Sequence, residues 1–240
     1  MLGLGVGFYK LAGGDRLFSL NDIKNLVLYL KNGIGITTVL GDVSVWADQS
    51  GENNDISQAT SGDRATLAEG GLDFNKLEAD HYDMDSVIEI GDLDGFTIII
   101  VCKFESMGAH ATVLGLNNTQ HFLEFMAGND NIRIRLASTN TTITPDDNNL
   151  FANDTKFIMT LVREEGETGN LILYKNGTLI SQASAGQAAN NGDAEFITVG
   201  TRNADRYFDG IIHELAVYKK ALSQSELADA HSYLLNKHGI

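Results

Sequence analysis

The side chains with the most chemical potential are carboxylates, and they are unevenly spread. Between Asp42 and Asp94 stand fourteen acidic and two basic residues, Arg64 and Lys76, in a chain with 32 acidic and 17 basic residues overall. Such a surface repels phosphate backbones and anionic headgroups, which excludes nucleic acid and anionic membranes as partners. Closely spaced carboxylates can hold a hard cation. In Val45-Trp-Ala-Asp48-Gln-Ser50-Gly51-Glu-Asn53-Asn54-Asp55, however, the Asp, Ser and Asn side chains can also bond neighbouring amides while Gly51 takes positive φ, making a rigid loop. No cofactor is required by this pattern; calcium held partly by Asp48 and Asp55 is the functional alternative. Asp92-Leu-Asp-Gly95 lacks the other ligands of a calcium loop and reads as a turn.

Other chemistries find less. His231 and His238 stand seven apart without acidic support, which is not metal-ligand spacing. No Gly-rich loop with Lys-Ser/Thr is present to cradle a phosphate. The single cysteine, Cys102, sits in the apolar run Phe96-Thr-Ile-Ile-Ile-Val-Cys102 and is expected to be a buried, inert thiol. Glycan recognition needs exposed aromatic faces beside a few fixed polar groups. Its candidates are Tyr82 beside Asp80 and Asp83, and Tyr207 with Arg206 and Asn203. Trp46 lies on an alternating strand and is expected in the core.

These residues need a scaffold, and the pattern is that of an all-β chain. One proline, 25 glycines and 43% hydrophobic residues indicate a globular domain with many turns. Short apolar runs follow one another at Leu26–Leu30, Val43–Trp46, Val87–Ile90, Phe96–Phe104 and beyond, a dozen or so in all. Ile132, Ile134 and Leu136 share one face of a strand while Arg133 and Arg135 share the other. Asn176-Gly177 between two such runs predicts a type I′ hairpin. Ser19-Leu-Asn-Asp22 predicts a short helical turn, and Ser223-Gln-Ser-Glu226 a capped C-terminal helix with Leu227, Ala230, His231 and Leu234 on one stripe. The apolar runs are too short to cross a membrane as helices. Residues 1–18 differ: Leu2, Leu4, Val6, Phe8 and Tyr9 alternate with glycine, there is no basic leader region, and the segment is expected to be an arm that docks on a partner subunit or on its own domain.

Three segments together point further: the Trp46-to-Asp55 turn, Leu173-Tyr-Lys-Asn176-Gly177-Thr-Leu, and Tyr207-Phe-Asp-Gly210-Ile-Ile-His-Glu214-Leu-Ala-Val-Tyr218 leading into the last helix. Jointly they resemble the concanavalin A-like, laminin-G-like jelly-roll family. The resemblance implies a two-sheet antiparallel sandwich over residues 19–240 with a short N-terminal helical turn and a C-terminal helix. It does not imply an activity, since the fold hosts lectins, hydrolases, lyases and structural modules. Many members carry an acidic pair in the closing strand; here it reads His213-Glu214, so Glu214 would join Asp48 and Asp55 as a calcium ligand in a set one oxygen short. Hydrolases of this fold carry Glu-x-Asp-x-x-Glu. The nearest string, Glu78-Ala-Asp80-His-Tyr-Asp83, ends in Asp and reads as a solvated acidic loop in which no catalytic acid would be desolvated. His213, Tyr218, Arg202 and Arg206 could supply a lyase, but no spacing ties them together. No catalytic residue is therefore expected.

The apolar arm leading into one sandwich also resembles virion proteins of tailed phages. That implies a non-catalytic structural, decoration or attachment protein, assembled in the host cytoplasm. Its partners would be other virion subunits or a second copy, and cell-surface glycans. A carbohydrate-binding lectin is the alternative, and a glycan-cleaving enzyme using Glu78 and Asp80 the third reading.

Overall fold

The computed structural model describes residues 18–106, 110–126, 131–136, 139–143, 151–167, 169–183 and 192–240. The expected arm at Leu2, Leu4, Val6, Phe8 and Tyr9 lies outside them. After a 3-10 turn at Leu20–Asp22 the strands run β1 (Leu26–Leu30), β2 (Ile36–Val39), β3 (Asp42–Trp46), β4 (Ile56–Ser57), β5 (Thr66–Ala68), β6 (Gly71–Phe74), β7 (Tyr82–Ile90) and β8 (Phe96–Phe104). They continue with β9 (Ala111–Gly115), β10 (Phe122–Phe125), β11 (Ile132–Leu136), β12 (Thr139–Ile143), β13 (Phe157–Arg163), β14 (Leu171–Lys175), β15 (Thr178–Ala183), β16 (Ala194–Val199) and β17 (Gly210–Tyr218). A helix, α1 (Gln224–His238), closes the chain. The strands outnumber those expected, in part because β4 and β5 are too short to leave a periodic signal.

All pairings are antiparallel and form one hydrogen-bonded network folded into two layers. One layer runs β1–β17–β8–β13–β14–β15, with β6 beside the first half of β17. The other runs β2–β3–β4–β7–β16–β9–β10–β11–β12, and the β5–β6 hairpin links the two. Between the layers, Ile98, Ile100 and Cys102 of β8 and Leu215 and Val217 of β17 share a core with Ile88, Ile90, Leu123, Phe125 and the fully buried Trp46. The opposite face of β8 carries Ile99 and Val101, which pack with Leu227, Ala230 and Leu234 of α1. Phe96–Phe104 is thus apolar on both faces because a sheet covers one side and a helix the other. Each fully buried Leu or Ile contributes roughly 1.5–3 kcal/mol.

Local chemistry sets the ends of these elements. Asn176 and Gly177 take φ of 49° and 79° between β14 and β15, the positive pair that a type I′ turn demands. At α1, Ser223 Oγ accepts from Glu226 N at 3.3 Å while Ser223 N donates to Glu226 Oε2 at 2.9 Å, and Gly239 ends the helix at φ 67°.

His231 on the buried stripe of α1 lies 3.0 Å from Thr160 Oγ1, and burial pushes its pKa down to about 4. A free histidine titrates near 6.5, so the unfolded chain takes up this proton first. The contribution is complete above the unfolded value and is lost as pH falls from about 6.5 toward 4. His213, also lowered to about 4, chiefly by burial, acts with the same sign. In urea unfolding, His231→Gln should therefore flatten the fall in stability between pH 6.5 and 4.5, recovering on the order of 2 kcal/mol at the acid end. An unchanged slope would show that His231 is not neutral in the fold.

Candidate functional site

The calcium set offered as the functional alternative is not brought together. Asp48 Oδ1 accepts from Tyr29 N at 2.7 Å and Ser50 N at 2.9 Å, and its Oδ2 accepts from Ser50 Oγ at 2.5 Å and Asn54 N at 3.1 Å. Asp55 Oδ1 accepts from Asp48 N at 2.8 Å. This is the rigid loop of the first reading. Glu214 lies elsewhere, buried under α1, where it accepts from Tyr29 OH and Lys237 Nζ, both at 2.6 Å, and pairs with His238 Nε2. Tyr29 touches Asp48 with its backbone and Glu214 with its phenol, so the length of its side chain separates the two carboxylates.

Tyr82 and Asp80 also correct the expectation. Tyr82 is not an exposed platform: it is fully buried, its OH donating to Val43 O at 2.7 Å and accepting from Ala65 N at 3.1 Å. Alternation along β7 turns Tyr82 and Met84 inward and Asp83 outward. Asp80 is not a solvated loop residue but 1% exposed, and burial raises its pKa to about 6, with Glu78, Asp63 and Asp42 adding to the rise. It borders a cavity of about 470 Å³ whose rim includes Asp73, Glu78 and the Lys76–Asp209 ion pair at 2.7 Å. Asp80 Oδ2 accepts from Asn75 N at 2.8 Å, while Oδ1 is buried without a partner. The expected solvated carboxyl is instead desolvated at the edge of a cavity, with one oxygen held by a backbone amide.

A second cluster stands on the outer face of the β7–β16–β9–β10–β11 layer. The β10–β11 register sets Phe122 opposite Arg135 and Glu124 opposite Arg133. Because Ile132, Ile134, Leu123 and Phe125 take the core side, these four point outward together. A loop from the far end of β16 covers them. Gly115 of β9 permits its approach, for a Cβ there would lie 2.3 Å from Thr201 O. Asn203, Ala204 and Arg206 hold φ of 50°, 50° and 55°, a conformation non-glycine residues rarely adopt and one that concentrates at functional sites. Asn203 N donates to Leu116 O at 3.1 Å and Thr112 N to Arg206 O at 3.0 Å, which fix the loop on β9.

The result is a fully buried carboxylate held between two arginines, with His110 beside it. Glu124 pairs with Arg133 Nη2, with Arg202 Nε at 3.1 Å and with His110 Nδ1 at 3.6 Å. The guanidinium carbons of Arg202 and Arg133 lie 4.2 and 5.4 Å from the centre of the buried Phe122 ring. Burial lowers the pKa of Arg202 and of His110, and Arg206 and Arg133 lower both further. Arg206 is 31% exposed, and its Nε stands 3.7 Å from Asp205. The Nε groups of Arg133, Arg135 and Arg206 have no hydrogen-bond partner among the described residues.

Of the residues grouped from sequence, Arg206 joins this cluster and Asn203 lies exposed at the tip of its loop. Tyr207 turns away, its ring 5.9 Å from that of His81. Sequence reading named Arg202 only as a lyase candidate and did not single out His110, Phe122 or Glu124; the shared face of Arg133 and Arg135 was the available signal. His213 and Tyr218 are fully buried in β17, away from these arginines.

The profile of the family described as the concanavalin A-like lectin/glucanases superfamily matches residues 78–228. No curated protein matches the chain. Among solved structures, the binding domain of Paraclostridial mosquitocidal protein 1 aligns with a TM-score of 0.64 and 16% identity over 91% of this chain and 54% of that one. A botulinum neurotoxin type C structure, described as showing that cell entry depends on two ganglioside molecules, aligns with a TM-score of 0.54 and 14% identity over 90% and 52%. Trypanosoma rangeli sialidase in complex with a 2,3-difluoro-nononic acid aligns with a TM-score of 0.55 and 16% identity over 90% and 33%. At these identities the likeness is one of fold. The chain spans about half the length of the toxin structures and a third of the sialidase.

Proposed function

We propose that this chain, which belongs to the concanavalin A-like lectin/glucanase superfamily, is a non-catalytic carbohydrate-binding domain whose arginine-lined face takes glycans bearing a carboxylate. One observation carries the reading. In a chain of net charge −15, Arg133 and Arg202 pair with one buried carboxylate, and Arg135 and Arg206 stand partly exposed on the same face. A guanidinium fork matches a carboxylate in two parallel hydrogen bonds, which makes arginine the natural reader of an acidic sugar. A neutral sugar can accept hydrogen bonds from such a surface but lacks the charged two-point match. Two similar structures support the class of ligand, one described with gangliosides and one with a nononic acid.

The resemblance to tailed-phage virion proteins supplies a finer form of this reading. In it the arm of residues 1–18 fastens the domain to other virion subunits or to a second copy, and the arginine face meets host glycans. That form rests on the sequence resemblance, and nothing in the described residues adds to it.

Calorimetry with a carboxylated oligosaccharide and its carboxyl-reduced counterpart tests the proposal. Arg135→Ala should weaken binding of the acidic form by about tenfold or more, the loss of a charged hydrogen bond, and leave the melting temperature within a degree or two. Equal affinity of wild type and variant, or of the two sugars, would remove the arginines from the site.

A further inference from the structure

A second cluster lies outside that face, where β10 and β16 leave the strand between them. β9 pairs with both and ends at Gly115, opposite Phe122 of β10 and Thr198 of β16. Beyond that residue His121, just before β10, comes together with Asp193 and Glu195 at the start of β16. One ring nitrogen of His121 and one carboxylate oxygen from each acid all lie within 4.8 Å of one another. We propose that these three residues bind one zinc-type divalent transition-metal ion.

Two further observations point to a cation. His121 is 7% exposed, and its buried Nδ1 has no hydrogen-bond partner. A buried polar nitrogen left unsatisfied costs about 1–3 kcal/mol, which coordination would relieve. Glu195 also stands directly across the β16–β7 ladder from Glu89, and like charges facing each other in that way are destabilising until a cation neutralises them. The guanidinium of Arg163, close enough to feel the charge of Asp193, directs its donors to the carbonyl oxygens of Gly91, Asp94 and Gly192 at 2.5–2.8 Å.

The donor set selects the metal. An imidazole nitrogen is a poor ligand for calcium or magnesium, which take oxygen shells, whereas one histidine with two carboxylates suits a borderline ion such as zinc. Zinc holds its ligands at about 2.0–2.2 Å, which sets tetrahedral neighbours about 3.4 Å apart. The cluster thus has to close by an ångström or so, within reach of the acidic side chains. Three protein ligands leave the fourth position to water.

The test uses the full chain without a histidine tag, stripped of metal and titrated with zinc by calorimetry in the presence and absence of millimolar calcium. The expected result is one zinc per chain at micromolar affinity or tighter, undisturbed by calcium and weakened at least about tenfold by His121→Ala and by Asp193→Asn. Asp193 precedes β16, so its variant decides the matter if His121→Ala fails to fold. Less than stoichiometric zinc, displacement by calcium, or a zinc affinity indifferent to Asp193→Asn would overturn the site.

Discussion

Replacing Glu124 with alanine should destabilise the domain by about 3–5 kcal/mol, the cost of leaving a buried counter-charge unpaired. The carboxylate is fully buried between Arg133 and Arg202, with His110 beside it. Arg202 is itself buried on the face of Phe122, so its charge cannot be rehydrated without dismantling the 200–206 loop. For a chain of this size the loss corresponds to a fall in Tm on the order of 10 °C. Binding of the acidic glycan should fail in parallel, because the loop positions Arg206. A change below about 1 kcal/mol in urea unfolding would mean that water already reaches the cluster.

Glu214→Ala should have an effect of similar size for a different reason. This carboxylate, buried in β17, ties Tyr29 of β1 to Lys237 and His238 in the last turn of α1. Burial pushes its pKa up, but hydrogen bonds from His238, Lys237 and Tyr29 and the Lys237 charge outweigh that, and the group sits below the ordinary carboxylate value. A lowered carboxylate contributes stability that is present above its unfolded pKa and lost as pH falls through the folded one. The gap between wild type and variant should thus be about 3–5 kcal/mol at pH 7 and shrink below about pH 4. Hydrogen exchange should show residues 235–240 opening in the variant while β17 stays protected. Loss of protection throughout the sandwich would mean that Glu214 supports the core and not the helix.

What could be read from the sequence divides along the reach of each interaction. Ser223 with Glu226 and Asn176 with Gly177 are complete within a few residues, so their helix start and hairpin were legible. The alternation of Ile132, Ile134 and Leu136 against Arg133 and Arg135 was legible for the same reason. What the arginines face was not: Phe122 and Glu124 meet them through the β10–β11 register, and Arg202 reaches Glu124 from 78 residues away. Glu214 looked like a spare oxygen ligand because its partner Tyr29 lies 185 residues distant. Tyr82 looked exposed because acids flank it, yet its phenol has two backbone partners inside the core. Composition says how charged a neighbourhood is, but not which of its members the fold withdraws from water.

The most direct test of the account is a broad glycan-binding screen of the full-length protein at low and high salt, with calcium and again with a chelator. The arginine face predicts binding confined to carboxylated glycans, weakened by salt and unchanged by the chelator, since no calcium set is assembled at Asp48, Asp55 and Glu214. Binding of neutral glycans that salt does not weaken, or binding of none, would contradict the assignment.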